Sequence, residues 1–373
     1  MPEVRVPFYG HVRQYHSIKS EIDGAILRVL ESNQYVMGPA LEQFERELAR
    51  YFGMKHAVGL NSGTDALWLS FLALGIEPGD EIITAANTFF ATAEAIWIGG
   101  AKAVFVDCDP RTRNLDPAQV EAAIGPKTRA IVPVHLYGLC ADMKAIGEIA
   151  RRHDLVVVED DAQAIDGQGP GWKQGQFSDA VSTSFIIQKN LGTFGDGGAV
   201  VTNREDVAAR VRKLRNHGSS VRSVHSMGYN SRLDDLHAAI LGEKLKHISA
   251  WTDRRREIAA RYHGGLQGTG LKLPYEPPGY RHAYHLFVIE TPMRSSLERF
   301  LIDGGVDVKL HYPIAIHQQE GYPWGQLAEI RRSVANCERN AAECLSLPMF
   351  PELTDDEVDY TIQKCLEWCG NNR

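Results

Sequence analysis

Lys189 ends an apolar run, Val181-Ser-Thr-Ser-Phe-Ile-Ile-Gln-Lys189, and leads at once into the glycine-rich stretch Asn190-Leu-Gly-Thr-Phe-Gly-Asp-Gly-Gly198. Most lysines lie on solvated helix faces. This one leaves a strand-like run and enters a turn where backbone and ligand can approach closely. Burial there disfavours the ammonium form, and the free amine becomes a nucleophile for an aldehyde or ketone. The local pattern admits a Schiff-base lysine or a structural one.

Two further stretches carry chemistry. Asn61-Ser-Gly-Thr-Asp-Ala-Leu67 follows a strand pattern and opens a helix, so the N–H groups of Gly63 and Thr64, with the helix dipole, form a cradle for a phosphate. A plain helix cap by Ser62 or Thr64 is the competing reading. Val158-Glu-Asp-Asp-Ala-Gln163 sets three adjacent carboxylates at the end of a valine-rich strand. They are costly unless paired or solvated, and a protonated ring nitrogen facing one of them would offset that cost. A helix cap is the alternative here too. No Gly-Lys-Ser/Thr ending makes the first stretch a Walker A loop, and no Gly-x-Gly-x-x-Gly opens the first strand–helix unit.

The elements that must position these residues follow from hydrophobic periodicity. Ile18, Ile22, Ile26, Val29 and Leu30, then Leu41, Phe44, Leu48 and Phe52, recur at helical spacing. Between about residues 57 and 204, strand candidates at 56–59, 81–84, 104–106, 130–134, 155–158, 182–187 and 199–202 alternate with helices at 65–74, 117–124 and 142–153. Continuous apolar strands separated by helices predict an α/β fold with a mainly parallel sheet covered on both faces. Ligands of such sheets bind at the carboxyl ends of the strands, where all three stretches lie. Helical patterns at 233–248 and 252–262 lead to a Pro/Gly-rich stretch, 268–279, which reads as a lobe boundary. Beyond it come a strand at 284–290, a helix at 296–303, a strand at 306–310 and two closing helices. The expected division is an N-terminal arm and large domain over residues 1–250 and a smaller α+β domain over 251–373.

Composition narrows the class. The chain has 373 residues, 44% hydrophobic and 23% charged, with a net charge of −7 and both signs interspersed. That size suits two lobes, and the charge suggests neither nucleic acid nor a membrane surface as partner. No signal segment or bilayer-spanning stretch is evident, so the expected address is the cytoplasm. The six cysteines form no Cys-x-x-Cys pair and His-Glu-x-x-His is absent, so no metal is expected.

A phosphate cradle, an acidic partner and a nucleophilic lysine on three strand ends are the parts that pyridoxal phosphate needs. Together with Gly38-Pro-Ala-Leu-Glu-Gln-Phe-Glu45, Ala86-Asn-Thr-Phe-Phe-Ala-Thr-Ala-Glu94, Pro133-Val-His-Leu-Tyr-Gly138, Gly228-Tyr-Asn-Ser-Arg232 and His311-Tyr-Pro313, these motifs run along essentially the whole chain in order. The sequence resembles the DegT/DnrJ/EryC1/StrS sugar aminotransferases. The resemblance implies the fold-type I architecture of aspartate aminotransferase, with pyridoxal 5'-phosphate as cofactor.

By that resemblance, Lys189 is the Schiff-base lysine and Asp160 the partner of the pyridine nitrogen. Gln163 lies near the ring hydroxyl, and Phe89 stacks on the ring. Gly63, Thr64 and Ser184 hold the phosphate, and Asn230 is a phosphate ligand donated by the neighbouring subunit, so a homodimer is implied. Arg232, His311, Tyr312 and His317 fall in stretches that line the substrate site. For His317 a surface loop histidine is the competing assignment.

The chain departs from the family pattern in two stretches, after Glu159-Asp160 and at Ile186-Ile187-Gln188, where an aromatic-Pro-Ser/Thr is usual. Asp161 stands for the first Ala of Glu-Asp-Ala-Ala-Gln-Ala-His-Gly and Ile165 for its His, while Gln188 lacks the hydroxyl common before the lysine. The implied activity is transfer of an amino group from L-glutamate, or glutamine, to a nucleotide-linked ketosugar. The motif set is most like enzymes that aminate C3 of dTDP-3-keto-6-deoxyhexoses. Amination at C4, a UDP- or GDP-linked ketosugar and an aminocyclitol precursor are alternatives. A pyridoxamine-dependent sugar dehydratase, in which histidine replaces the lysine, fits less well with Lys189, and a silent cofactor-binding regulatory protein fits less well with an intact Lys189/Asp160 pair.

Overall fold

The computed structural model describes residues 4–221 and 223–372. Among the described residues ten strands are present: β1 (His56–Leu60), β2 (Glu81–Ala85), β3 (Lys102–Val106), β4 (Thr128–Ile131), β5 (Val156–Asp160), β6 (Ala180–Ser184), β7 (Gly198–Thr202), β8 (Phe287–Glu290), β9 (Ala328–Ile330) and β10 (Cys344–Leu347). Eight of them form one sheet in the order β1-β7-β6-β5-β4-β2-β3-β9. β7 is antiparallel to both neighbours, and all other pairings are parallel. Two antiparallel steps restore direction, so β1 points the same way as β5 and β6. The carboxyl ends of β1, β5 and β6 therefore share one edge, as the α/β expectation requires.

The strands are buried along most of their length because helices cover both faces. One core packs the apolar side of the helix Gly63–Ala73 on Val58, Ile82, Phe105, Val158 and Val200. The opposite face is covered partly by the helix Pro39–Phe52, whose stripe Leu41, Phe44, Leu48 and Phe52 meets Phe185 and Val201. Pro39 begins that helix where its missing N–H costs nothing, and Gly53 ends it at φ 69°. A separate core joins the helices Ile248–Leu266 and Asp355–Asn371 to the pair β8–β10. The last helix is capped reciprocally by Thr354 and Glu357.

Three expectations about the second half change. Residues 306–310 make only isolated bridges, Val306 with Val6 and Lys309 with Ser346, because each has a partner at a single residue. The stretch 268–279 is not a boundary: Leu271 enters the second core and Lys272 bridges Glu290. β9 has no counterpart among the expected strands. It adds to the free edge of β3, so a segment beyond residue 251 returns to the large sheet, and Val6 crosses the other way.

All six cysteines are buried. Asp107, Cys108 and Cys337 bring ligand-type atoms within 4.8 Å of one another. The Asp107 carboxylate is occupied by the backbone N–H groups of Cys108, Asn336 and Cys337, and it caps the helix Ala335–Glu343. Among the described residues no helix is long and apolar enough to cross a membrane.

Candidate active site

β6 stops at Ser184, five residues before Lys189, so Lys189 does not end a strand. The chain bends where Lys189 N–H donates to Ile186 O at 2.8 Å. Gly192 passes so near Ile187 that a Cβ would lie 2.4 Å from its carbonyl oxygen, which no other side chain tolerates. The bend turns the Lys189 amine into a cavity of about 250 Å³, and there burial lowers its pKa to about 8 while nearby Asp160 pulls it upward.

The carboxylate trio resolves through strand periodicity, since alternate residues face opposite sides. Glu159 and Asp161 share one side. Glu159 pairs with His135 at 2.7 Å and accepts from Gly175 N–H and the Ser178 hydroxyl. Ala141 N–H donates to His135 Nδ1, which places the imidazole proton on Nε2 toward Glu159. Asp161 accepts from Gln174 Nε2 at 3.2 Å, and its Oδ2 is buried with no protein partner. Burial, with Glu159 beside it, pushes its pKa well up. Asp160 alone faces the cavity, 5% exposed, and accepts from Thr92 Oγ1 at 2.8 Å and Ala162 N–H at 3.2 Å. Burial raises its pKa against those two donors.

At the end of β1, Ser62 caps the helix Gly63–Ala73 by accepting from Asp65 N–H. Capping and cradle coexist, because the cap uses the N–H of Asp65 and not those of Gly63 and Thr64, which line the cavity. Gly63 must be glycine: a Cβ would lie 2.6 Å from Ser184 Cβ. Gln163 accepts from Tyr137 N–H through Oε1 and donates from Nε2 to the Tyr312 hydroxyl at 3.0 Å, so its amide presents a donor to the cavity. The Phe89 ring is 53% exposed over the opening, 5.4 Å from the Tyr312 ring. His311 bonds Ser346 through Nδ1, and burial beside Lys189 and Lys309 lowers its pKa to about 4.

The cavity thus gathers Lys189, Asp160, Gly63, Thr64, Phe89, Gln163, Ser184, His311 and Tyr312. Asn230 and Arg232 lie outside it. Asn230 is exposed on the segment bridged to Asn216, and Arg232 donates to Asn216 Oδ1. His317, expected at the substrate site, instead pairs with Glu338 at 2.9 Å away from the cavity, because the turn Ile316–Gln318 directs its ring toward the helix Ala335–Glu343.

Several lining residues escaped the sequence reading. Thr92 lay inside a quoted motif without a role, and a hydroxyl one helical turn after Phe89 was the available signal. His285, whose Nδ1 meets Asn190 Oδ1 at 3.2 Å, had no such signal, nor had Tyr9, His11, Arg255 and Glu352. They come from distant parts of the chain.

These groups suit pyridoxal phosphate as a donor set: helix-terminal N–H groups for the phosphate, an exposed aromatic face, a buried carboxylate and an amine of lowered pKa. The comparisons agree. Residues 16–366 match the model of the DegT/DnrJ/EryC1/StrS aminotransferase family. A Geobacillus stearothermophilus protein named pleiotropic regulatory protein is 44% identical over 98% of this chain and 99% of its own. The dTDP-3-amino-3,4,6-trideoxy-alpha-D-glucose transaminase of Streptomyces venezuelae is 44% identical over 98% of this chain and 96% of its own. The crystal structure of S. venezuelae DesV in complex with a ketimine intermediate superposes with a TM-score of 0.95 at 43% identity, covering 99% of each chain.

Proposed function

The chain belongs to the DegT/DnrJ/EryC1/StrS aminotransferase family and uses pyridoxal 5'-phosphate, and from that premise we propose that it moves the amino group of L-glutamate to C3 of a dTDP-linked 3-keto-6-deoxyhexose. The observation that carries this reading is the placement of Lys189, Asp160 and the open N-terminus of the helix Gly63–Ala73 around one cavity. The name of the S. venezuelae transaminase supports the choice of acceptor and of carbon.

When bound, the cofactor supplies a carbonyl that condenses with amines and a pyridinium ring that accepts electrons released at the donor's α-carbon. The protein's residues do the rest. Gly63 and Thr64 N–H groups and the Ser184 hydroxyl hold the phosphate. The Phe89 face covers the ring. Asp160, steadied by Thr92, accepts the hydrogen bond of the ring N–H, and that cation offsets the cost of burying the carboxylate. The Gln163 amide donates toward the ring hydroxyl. Lys189, with an amine pKa near 8, is the nucleophile that would hold the cofactor's carbonyl, and as a free amine it would serve as the general acid/base of the site. His311, neutral above about pH 4, and Tyr312 stand where the sugar enters.

A second protomer completes the site in this reading. Asn230 is exposed and does not line its own cavity, which leaves it available to the phosphate site of the neighbouring subunit. A purified sample reconstituted with the cofactor should lose its visible absorbance band on adding L-glutamate and release stoichiometric 2-oxoglutarate. A panel of nucleotide ketosugars should then restore the band, fastest with the dTDP-3-keto sugar. The regulatory name of the G. stearothermophilus relative favours a second reading without turnover, and an unchanged band with every amino acid tried would support it.

A further inference from the structure

The cavity continues past Lys189 to a wall formed by His11, Gln14, Arg255, Met349, Phe350 and Glu352. Arg255 is 5% exposed. Its Nη1 donates to the carbonyls of Tyr284 at 3.1 Å, His285 at 3.4 Å and Met349 at 2.8 Å, while its buried Nε has no protein partner. Behind it Lys244, 2% exposed, donates to Gly192 O at 2.6 Å and lies 4.5 Å from the centre of the Phe194 ring. Glu352 is the carboxyl whose charge reaches both cations. Its Oε2 is likewise enclosed and unpartnered.

Two buried cations facing one carboxyl leave an excess positive charge, which in a low-dielectric recess calls for an anion. His11 does not add to it, since burial and the two cations hold its imidazole neutral. Arg255 and His285 line the same cavity as the reacting Lys189 amine, and Arg255 Nη1 donates to the His285 carbonyl. We propose that this recess takes the distal carboxylate of the amino donor, with Arg255 contacting it and Lys244 supporting the charge, and so selects a dicarboxylic amino acid over a monocarboxylic one. The proposal rests on the aminotransferase reading.

The test uses cofactor-loaded enzyme and two probes that lack an amine, glutarate and butyrate, with binding read from the shift of the cofactor's visible spectrum and by calorimetry. Glutarate should bind at least about tenfold more tightly than butyrate. Arg255→Met should erase that preference and Arg255→Lys keep part of it. Because Arg255 also holds three carbonyls, Glu352→Gln is the decisive variant: removing the negative charge should tighten glutarate several-fold and leave butyrate unchanged. Equal binding of the two probes, or no tightening in Glu352→Gln, overturns the proposal. Inorganic pyrophosphate displacing glutarate with higher affinity would assign the recess to the sugar nucleotide, and overturns it as well. Release of 2-oxoglutarate from L-glutamate by the same wild-type sample keeps the two readings apart. If that release occurs without a glutarate preference, only the recess assignment fails; if no amino acid is deaminated, the aminotransferase reading fails.

Discussion

Thr92 Oγ1 donates to Asp160 Oδ2 at 2.8 Å, and the two side chains are 1% and 5% exposed. Thr92 lies in the first turn of the helix Phe90–Ile98 and Asp160 at the end of β5, so this bond and the one from Ala162 N–H to Oδ1 fix the orientation of the carboxylate in the cavity. A hydrogen bond to a buried carboxylate contributes about 1.5–3 kcal/mol. Thr92→Val keeps the shape and removes the donor. Cofactor affinity, measured by equilibrium titration of the visible band, should weaken by about tenfold or more, and an unchanged dissociation constant would remove Thr92 from the site.

Lys189→Ala should lose at least about a thousandfold in turnover, the scale of a lost proton-transferring group. Borohydride treatment should add the mass of the cofactor to residue 189 of the wild-type chain and to no residue of the variant. Substantial residual transamination would sink the role given to Lys189.

The amine pKa of about 8 sets a pH dependence. The rate at which the cofactor-free protein captures pyridoxal phosphate should rise about tenfold per pH unit below 8 and level off above it, since only the free amine attacks. The folded value lies below the usual 10.5, so the unfolded state binds more protons between those limits. Lys189 therefore weakens the cofactor-free fold below pH 8, and that penalty fades as pH rises from 8 to 10.5. A capture rate flat from pH 7 to 9 would contradict the lowered pKa.

Gly63→Ala places a Cβ 2.6 Å from Ser184 Cβ, and both residues border the phosphate cradle. Overpacking of this kind costs about 1–3 kcal/mol. The variant should fold with a lowered melting temperature and need at least about tenfold more cofactor for saturation. Normal cofactor affinity would show that the helix terminus is not the phosphate site.

Asp161 is the buried carboxyl whose Oδ2 has no partner, and its pKa is raised by burial and by Glu159. A raised folded value means that the native state holds its proton longer than the unfolded chain. Its contribution to stability is thus lost as pH climbs from about 4 toward the folded pKa. Asp161→Asn removes that ionisation. Thermal melts from pH 5 to 9 should show a flatter profile for the variant, and at pH 8 a melting temperature higher by about 2 °C. Parallel profiles would mean that Asp161 is satisfied by a buried water.

Much of the site was readable because its parts are contiguous. Asn61–Leu67, Glu159–Gln163 and Lys189–Gly198 each carry their geometry in a few consecutive residues, where strand alternation, helix caps and glycine act locally. The element boundaries moved by only a few residues for the same reason, the strand before Lys189 among them. Its apolar residues continue beyond Ser184, but its partner strand does not.

The order and spacing of those motifs determined the sheet class, the family and the strand ends that carry Lys189 and Asp160. Only the tertiary structure decided which distant groups meet them. Thr92, His285, Arg255 and Glu352 reach one cavity through the sheet order and the packing of the second core, and no periodicity in the chain marks a side chain for such a meeting. The same holds for His317, which a motif placed near the substrate and a local turn sent to Glu338. Local propensity acts through neighbouring backbone atoms, whereas the charge and shape of the recess beyond Lys189 arise from segments up to 341 positions apart, His11 and Glu352 at the extremes.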